Sequence, residues 1–227
     1  MNIIITGCSK GIGLELVKLL AVNHKVYAIS RDVSLLNEMK QQNQYAENLF
    51  PISADITQIK QQFFDSLIDS LGIDVLINNA GFLANKPFIE LSKEDYREMM
   101  DVNFYGVINM IQLSIAKLSN AKGQIVNIGS IGGVQGSSKF PGLSIYSSSK
   151  GAISILTECL AVELDQFDIK INCLALGAVQ TDMLNKAFPG FKAEITALEM
   201  ASYIVNFINS SSKLSNGLII PVKKTNP

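Results

Sequence analysis

Only one histidine, His24, occurs among the 227 residues. A triad built on a histidine base therefore has a single candidate, and its place beside Lys25 at a helix-to-strand connection reads as surface instead. Cysteine is nearly as scarce: Cys8, Cys159 and Cys173 are odd in number, far apart and without histidine neighbours. That spacing argues against a disulfide framework or a zinc site and in favour of reduced thiols. Neither sign of charge dominates, with 19 Lys plus Arg against 20 Asp plus Glu and a net charge of -1. The balance gives no electrostatic reason for a nucleic-acid or anionic-membrane partner. Although 48% of residues are hydrophobic, no run approaches the ~20 apolar residues of a membrane span. Met1-Asn2-Ile3-Ile4-Ile5 runs straight into a glycine turn and reads as a core strand, not a secretion signal. A soluble, cytoplasmic protein is expected.

What the chain does contain is alternation. Short, nearly continuous apolar runs recur at 2–6, 25–30, 48–53, 73–78, 124–129, 169–175 and 217–222. Such runs predict strands buried on both faces, hence a parallel sheet. Helical spacing fills 11–22, 33–43, 58–71, 92–118, 146–165 and 197–209. Alternating strands and helices, with no linker or repeat, predict one α/β domain over 1–227: a Rossmann-type doubly wound sheet of about seven strands with helices on both faces. In such sheets ligands bind beyond the carboxyl ends of the strands, which directs attention to the loops that follow them.

The first of these loops is Thr6-Gly7-Cys8-Ser9-Lys10-Gly11-Ile12-Gly13, after a strand and opening a helix. Gly7 suits a tight turn, Gly11 the approach of a pyrophosphate, and Gly13 close helix–strand packing, while free N–H groups at the helix start favour phosphate. Asn78-Asn79-Ala80-Gly81 closes the fourth strand, and Ser130 ends the fifth. Asn103 interrupts a segment that otherwise reads as one long helix; asparagine there competes for backbone hydrogen bonds. In Tyr146-Ser-Ser-Ser-Lys150 the tyrosine and lysine are four apart and share a helix face. An ammonium beside a phenol favours the phenolate and moves it toward a working pKa.

Taken in order, TGCSKGIG, NNAG, Ser130 and the Tyr146/Lys150 pair resemble the short-chain dehydrogenase/reductase family, and the resemblance runs from Thr6 to the last strand. It implies hydride transfer between a nicotinamide and a carbonyl or secondary alcohol. Tyr146 would be the general acid/base, Ser130 would polarise the carbonyl, and Lys150 would hold the ribose and resupply the proton with Asn103 and water. It further implies cofactor contacts from Gly7, Ser9, Lys10, Gly11, Ile12, Gly13, Ile56, Asn79, Ala80, Gly81, Tyr146, Lys150, Gly177, Val179 and Thr181. Asn78 would fix the central sheet. Asp55 resembles the adenine-contacting aspartate of the family and equally suits a helix N-cap. Where NAD-preferring relatives tend to carry an acid this chain has Ser30, followed by Arg31, with Lys10 in the first turn. Two cations and a hydroxyl suit a 2′-phosphate, so NADP(H) is the expected cofactor.

Two departures from the family pattern fall near the substrate. Leu176 replaces the usual proline in Asn172-Cys173-Leu174-Ala175-Leu176-Gly177, loosening a loop without removing a catalytic group. Ser137-Ser138-Lys139-Phe140-Pro141-Gly142 lengthens the stretch between Ser130 and Tyr146, and the region from Asp182 to Ala197 is short, which predicts a small lid. The substrate is a small carbonyl or alcohol; a 3-oxoacyl thioester reductase, or a cofactor-binding sensor without turnover, are the alternative readings. Helices 92–118 and 146–165 are those relatives use to form dimers and tetramers. Ile111, Ile115, Ile155 and Leu156 suit either such a homo-oligomer interface or the core.

Overall fold

A computed structural model describes residues 1–211 and 214–224. Its first half contains β1 (Asn2–Thr6), α1 (Gly11–Leu20), β2 (Lys25–Ser30), α2 (Ser34–Lys40), β3 (Leu49–Ser53), α3 (Gln61–Leu67), β4 (Val75–Asn78) and α4 (Lys93–Met100). There follow α5 (Gly106–Ala121), β5 (Gln124–Ser130), α6 (Ser144–Glu163), β6 (Lys170–Leu176), β7 (Val179–Gln180), α7 (Asp182–Ala187), β8 (Ile195–Thr196), α8 (Ala197–Asn206) and β9 (Ile219–Val222). The seven expected strands form one parallel sheet in the order β3-β2-β1-β4-β5-β6-β9. Strand order reverses between β1 and β4, so the crevice beyond their carboxyl ends is where this architecture binds ligands.

Period-two alternation distributes each strand between two cores. Ile3, Ile5, Val26, Ala28, Val75 and Ile77 face one side, packed by α1, α2 and α8 through Leu16, Leu36 and Ile204. Ile4, Tyr27, Ile29, Leu76, Ile125 and Ile171 face the other, packed by α3, α5 and α6 through Phe64, Ile111 and Ile153. Both faces are apolar, which is why the strand runs look continuous in sequence. Ile111 is core, whereas Ile155 is 61% exposed on α6.

The strands at 2–6 and 25–30 stand as expected and the other five move by one or two residues at one or both ends; the helices differ more. Segment 58–71 is helical only over α3, because the carbonyls of Ser70, Leu71 and Gly72 accept from Lys117 Nζ, Asn120 Nδ2 and Asn2 Nδ2. The single helix expected over 92–118 is two, joined by a π-helical turn at Asp101–Tyr105. Asn103 lies in that turn, fully buried, so the disturbance it predicts is real and takes the form of one extra residue in the helix. At the other end, 197–209 closes as α8 followed by a second π turn, Phe207–Ser211. The two-residue strands β7 and β8 pair in parallel around α7; elements this short leave no periodicity to read.

Candidate active site

The turn after β1 is shaped by what its glycines allow. Gly7 has φ +73, and a methyl group there would lie 2.7 Å from Ala80 Cα; on Gly13 it would lie 2.2 Å from Gly7 O. Backbone therefore packs on backbone, and any larger residue must displace the turn. Asn79 stitches this turn to β4: its Nδ2 donates to Thr6 O and Gly7 O, while the Asn79 and Ala80 N–H groups donate to Thr6 Oγ1. Thr6, which opens the motif without an assigned role, is thus a positioning residue. Lys10 is the N-cap of α1 and makes no side-chain cap, which leaves helix N–H donors facing the crevice beside partly exposed Ser9, Gly11 and Ile12. A nicotinamide dinucleotide fits this cradle: backbone can approach a pyrophosphate closely, and the helix start favours its charge.

At the end of β2, Ser30 is buried and Arg31 exposed, as is Lys10. The nearest following acid, Asp32, accepts from the Ser34 N–H at 3.0 Å, a bond that holds its carboxyl below the usual range. Asp55 Oδ1 accepts from Thr57 N–H and Thr57 Oγ1 at 2.9 and 2.8 Å, closing a turn; it is not a helix N-cap, because α3 begins only at Gln61 with Lys60 at its N-cap. The Ile56 side chain lies in the core, close enough to Gly106 that a methyl there would meet its Cδ1 at 2.6 Å.

The side chains expected to be catalytic come from β5, the π turn and α6. Ser130, at the carboxyl edge of β5, accepts from the Gly132 N–H at 3.2 Å, and its hydroxyl lies near enough to the Tyr146 phenol to pull it downward. Lys150, almost wholly buried, donates to Ile128 O at 2.8 Å, with Nζ 6.0 Å from the Tyr146 ring centre. Asn103 spends its whole amide: Oδ1 accepts from Phe82 N–H at 2.7 Å, and Nδ2 donates to Phe82 O at 2.9 Å and Ser149 Oγ at 3.0 Å. Ser149 in turn donates to Tyr146 O at 2.7 Å, so it couples the π turn to the catalytic helix. Asn103 Oδ1, Lys150 Nζ and Met183 Cε converge on Gly81, at 3.4, 3.7 and 3.9 Å from where its side chain would begin. Behind them, Asn78 Nδ2 donates to Asn127 Oδ1 and Asn127 Nδ2 to Thr157 Oγ1, a buried chain linking β4, β5 and α6.

The electrostatics correct one expectation. Burial pushes the Tyr146 phenol up to about 12, against the pull of Ser130; part of the residue meets solvent, but its hydroxyl is surrounded by protein. Burial likewise lowers Lys150 to about 8, with nearby Cys173 opposing. The ammonium does not draw the phenol down, because it is turned to Ile128 O, and burial disfavours both charged forms. Tyr146 is consequently protonated through neutral pH and available as an acid. The Cys173 thiol is itself raised to about 11 by burial.

On the far side, Gly177 donates to Val222 O at 2.9 Å, Val179 is buried in β7, and Thr181 caps α7 by accepting from the Leu184 N–H at 3.3 Å. The Thr181 methyl lies 3.4 Å from where a Gly11 side chain would begin, which brings this segment over the glycine turn. His24 sits at the opposite, amino end of β2.

The family model for short chain dehydrogenase matches residues 1–191. The chain belongs to the short-chain dehydrogenase family. Among its relatives, L-2,3-butanediol dehydrogenase from Corynebacterium glutamicum is 32% identical over 230 residues, spanning 94% of this chain and 83% of that protein. The solved structure of ElxO with NADP bound superposes with a TM-score of 0.82 at 27% identity, covering 97% of this chain and 96% of ElxO. At 22% identity, 4-hydroxyisoleucine dehydrogenase complexed with NADH shares the fold with a TM-score of 0.83, covering 98% of this chain and 97% of that one. Short-chain dehydrogenases are oxidoreductases that use a nicotinamide cofactor.

Proposed function

We propose that this short-chain dehydrogenase is an NADP(H)-dependent oxidoreductase that interconverts a small carbonyl compound and its secondary alcohol, with Tyr146 as proton donor. The observation that carries the reading is the meeting of Ser130, Tyr146 and Lys150 beside the glycine cradle at the β1/β4 reversal. The cofactor, when bound, supplies the hydride in reduction and takes it up in oxidation. The rest falls to the chain. Ser130 and Tyr146 hydroxyls aim at one carbonyl oxygen, and the Tyr146 proton neutralises the charge that develops there. The Lys150 ammonium, one turn along α6, would hold the cofactor ribose when the cofactor is bound and return a proton to the phenol. The experiment is reduction of a panel of aldehydes, ketones, diketones and 3-oxoacyl thioesters with NADPH or NADH. Turnover of some member supports the reading, and tight NADPH binding without any turnover sinks it in favour of a sensor.

The pH dependence follows from Lys150. Below about 8 it is charged and above that neutral, whereas Tyr146 keeps its proton to about 12. The kcat/KM for carbonyl reduction, which reports free-enzyme groups, is therefore expected to fall as pH rises through about 8. A profile flat to pH ~10, the ordinary lysine range, would show that the Lys150 charge is not needed.

Cofactor preference rests on Lys10 and Arg31, both exposed at the cradle, with Ser30 between strand and loop. Lys10→Ala and Arg31→Ala should each weaken NADPH binding about tenfold, the weight of one charge-assisted hydrogen bond, and leave NADH nearly unchanged. Equal losses for both cofactors in a fluorescence titration would remove the 2′-phosphate argument.

A further inference from the structure

We propose that Asn85 determines the size of substrate admitted, by pinning the outer end of α7 across the catalytic cleft; the inference rests on reading the Tyr146 centre as a carbonyl-reducing site. Helix α7 begins at the reacting groups, where Met183 Cε shares the space over Gly81 with Lys150 Nζ. Ala187 lies four residues on, hence on the same helix face, and ends the helix. Its carbonyl is one of those a helix terminus leaves without an intrahelical partner. Asn85, 102 residues away in the loop after β4, donates to that carbonyl from Nδ2 at 2.7 Å.

The same side chain meets a third segment. Gly142, four residues before Tyr146, has φ +83, and a methyl group on it would lie 1.8 Å from Asn85 Oδ1. The Lys86 N–H donates to Gly142 O at 3.2 Å. Gly142 closes the insertion between Ser130 and Tyr146, whose other end is tied down by Lys139: its ammonium donates to Gly132 O, Val134 O and Ser137 Oγ at 2.8, 2.7 and 2.8 Å. One amide thus joins α7, the β4 loop and the insertion into a rim around the catalytic groups. The rest of α7 is held separately: Thr181 caps its base by accepting from the Leu184 N–H at 3.3 Å, and Gln180 donates to Asn185 Oδ1, two residues before Ala187, at 2.5 Å and accepts from the Ala193 N–H at 2.8 Å. Asn85 is solvent-exposed, so water competes for its hydrogen bond and the contact is weak enough to open. Removing it frees the outer end of α7 while the base and the cofactor turn stay in place.

The test uses the full chain with Asn85→Ala and Asn85→Asp, neither of which can donate to Ala187 O. Backbone hydrogen exchange over residues 182–191 should quicken about fivefold, the weight of one ordinary hydrogen bond, with β1 unchanged. In parallel, the ratio of kcat/KM for a bulky aryl ketone to that for a four-carbon diketone should rise by a similar factor, about fivefold. Unchanged exchange in both variants overturns the proposal, and so does faster exchange with an unchanged size preference. Failure of the unmodified protein to reduce any carbonyl would instead remove the reading of the site. The two failures are distinguishable because hydrogen exchange does not depend on turnover.

Discussion

Tyr146→Phe is expected to lower kcat/KM for carbonyl reduction by about 10²–10⁴-fold, the contribution of a positioned general acid, while NADPH binds almost as before. The substitution keeps the ring and removes only the hydroxyl, so the packing of this part of α6 survives. What disappears is the one proton held through neutral pH at the Ser130 oxygen, since burial keeps that phenol up at about 12. Ser130 still donates a hydrogen bond, which leaves a residual rate but no proton for the alkoxide. Steady-state kinetics paired with a cofactor titration separate chemistry from binding. Full activity in the variant would mean that some other group protonates the substrate.

The second large effect is on stability. Asn103→Ala leaves the Phe82 N–H, the Phe82 carbonyl and Ser149 Oγ each short of a partner that now lies within 3.0 Å. Orphaned buried polar groups cost about 1–3 kcal/mol each, and even partial rescue by water leaves a deficit of about 3 kcal/mol. For a chain of this length that corresponds to a Tm lower by about 6–12 °C. Activity should fall too, because the π turn places Asn103 Oδ1 beside Lys150 Nζ at Gly81. Thermal unfolding checks the claim; a Tm within about 2 °C of the unmodified protein, less than 1 kcal/mol on this scale, would show that the π turn does not depend on this amide.

Much of this was legible in the chain because the signals are local. Strands buried on both faces announce themselves as runs such as Ile3-Ile4-Ile5, and a turn as crowded as Gly7 and Gly13 tolerates nothing else. Asn103 signalled a break in its helix, although not that the break would be a π turn. Less legible were features that depend on residues distant in sequence. Asn85 meets Ala187 only in the fold, and Thr6 meets Asn79 across two strands. Helix α7 and its flanking strands are too short to carry a period. The direction of the Tyr146 shift also escaped, because spacing places Lys150 on the right face but says nothing of Ile128 O, which takes its ammonium. Asp55 was ambiguous for the opposite reason: a local hydrogen bond to the backbone, which it makes to Thr57, and a contact to adenine call for the same side chain.

The central claim, that this crevice moves a hydride to a carbonyl carbon while Tyr146 protonates the carbonyl oxygen, is tested most directly by isotope transfer. NADPH carrying deuterium at the transferable position, incubated with the carbonyl panel, should yield an alcohol with one deuterium on its carbinol carbon. Tyr146→Phe should form this labelled alcohol about 10²–10⁴-fold more slowly, although that variant binds the cofactor. Tight NADPH binding with no label in any product, or equally fast labelling by both proteins, would contradict the account.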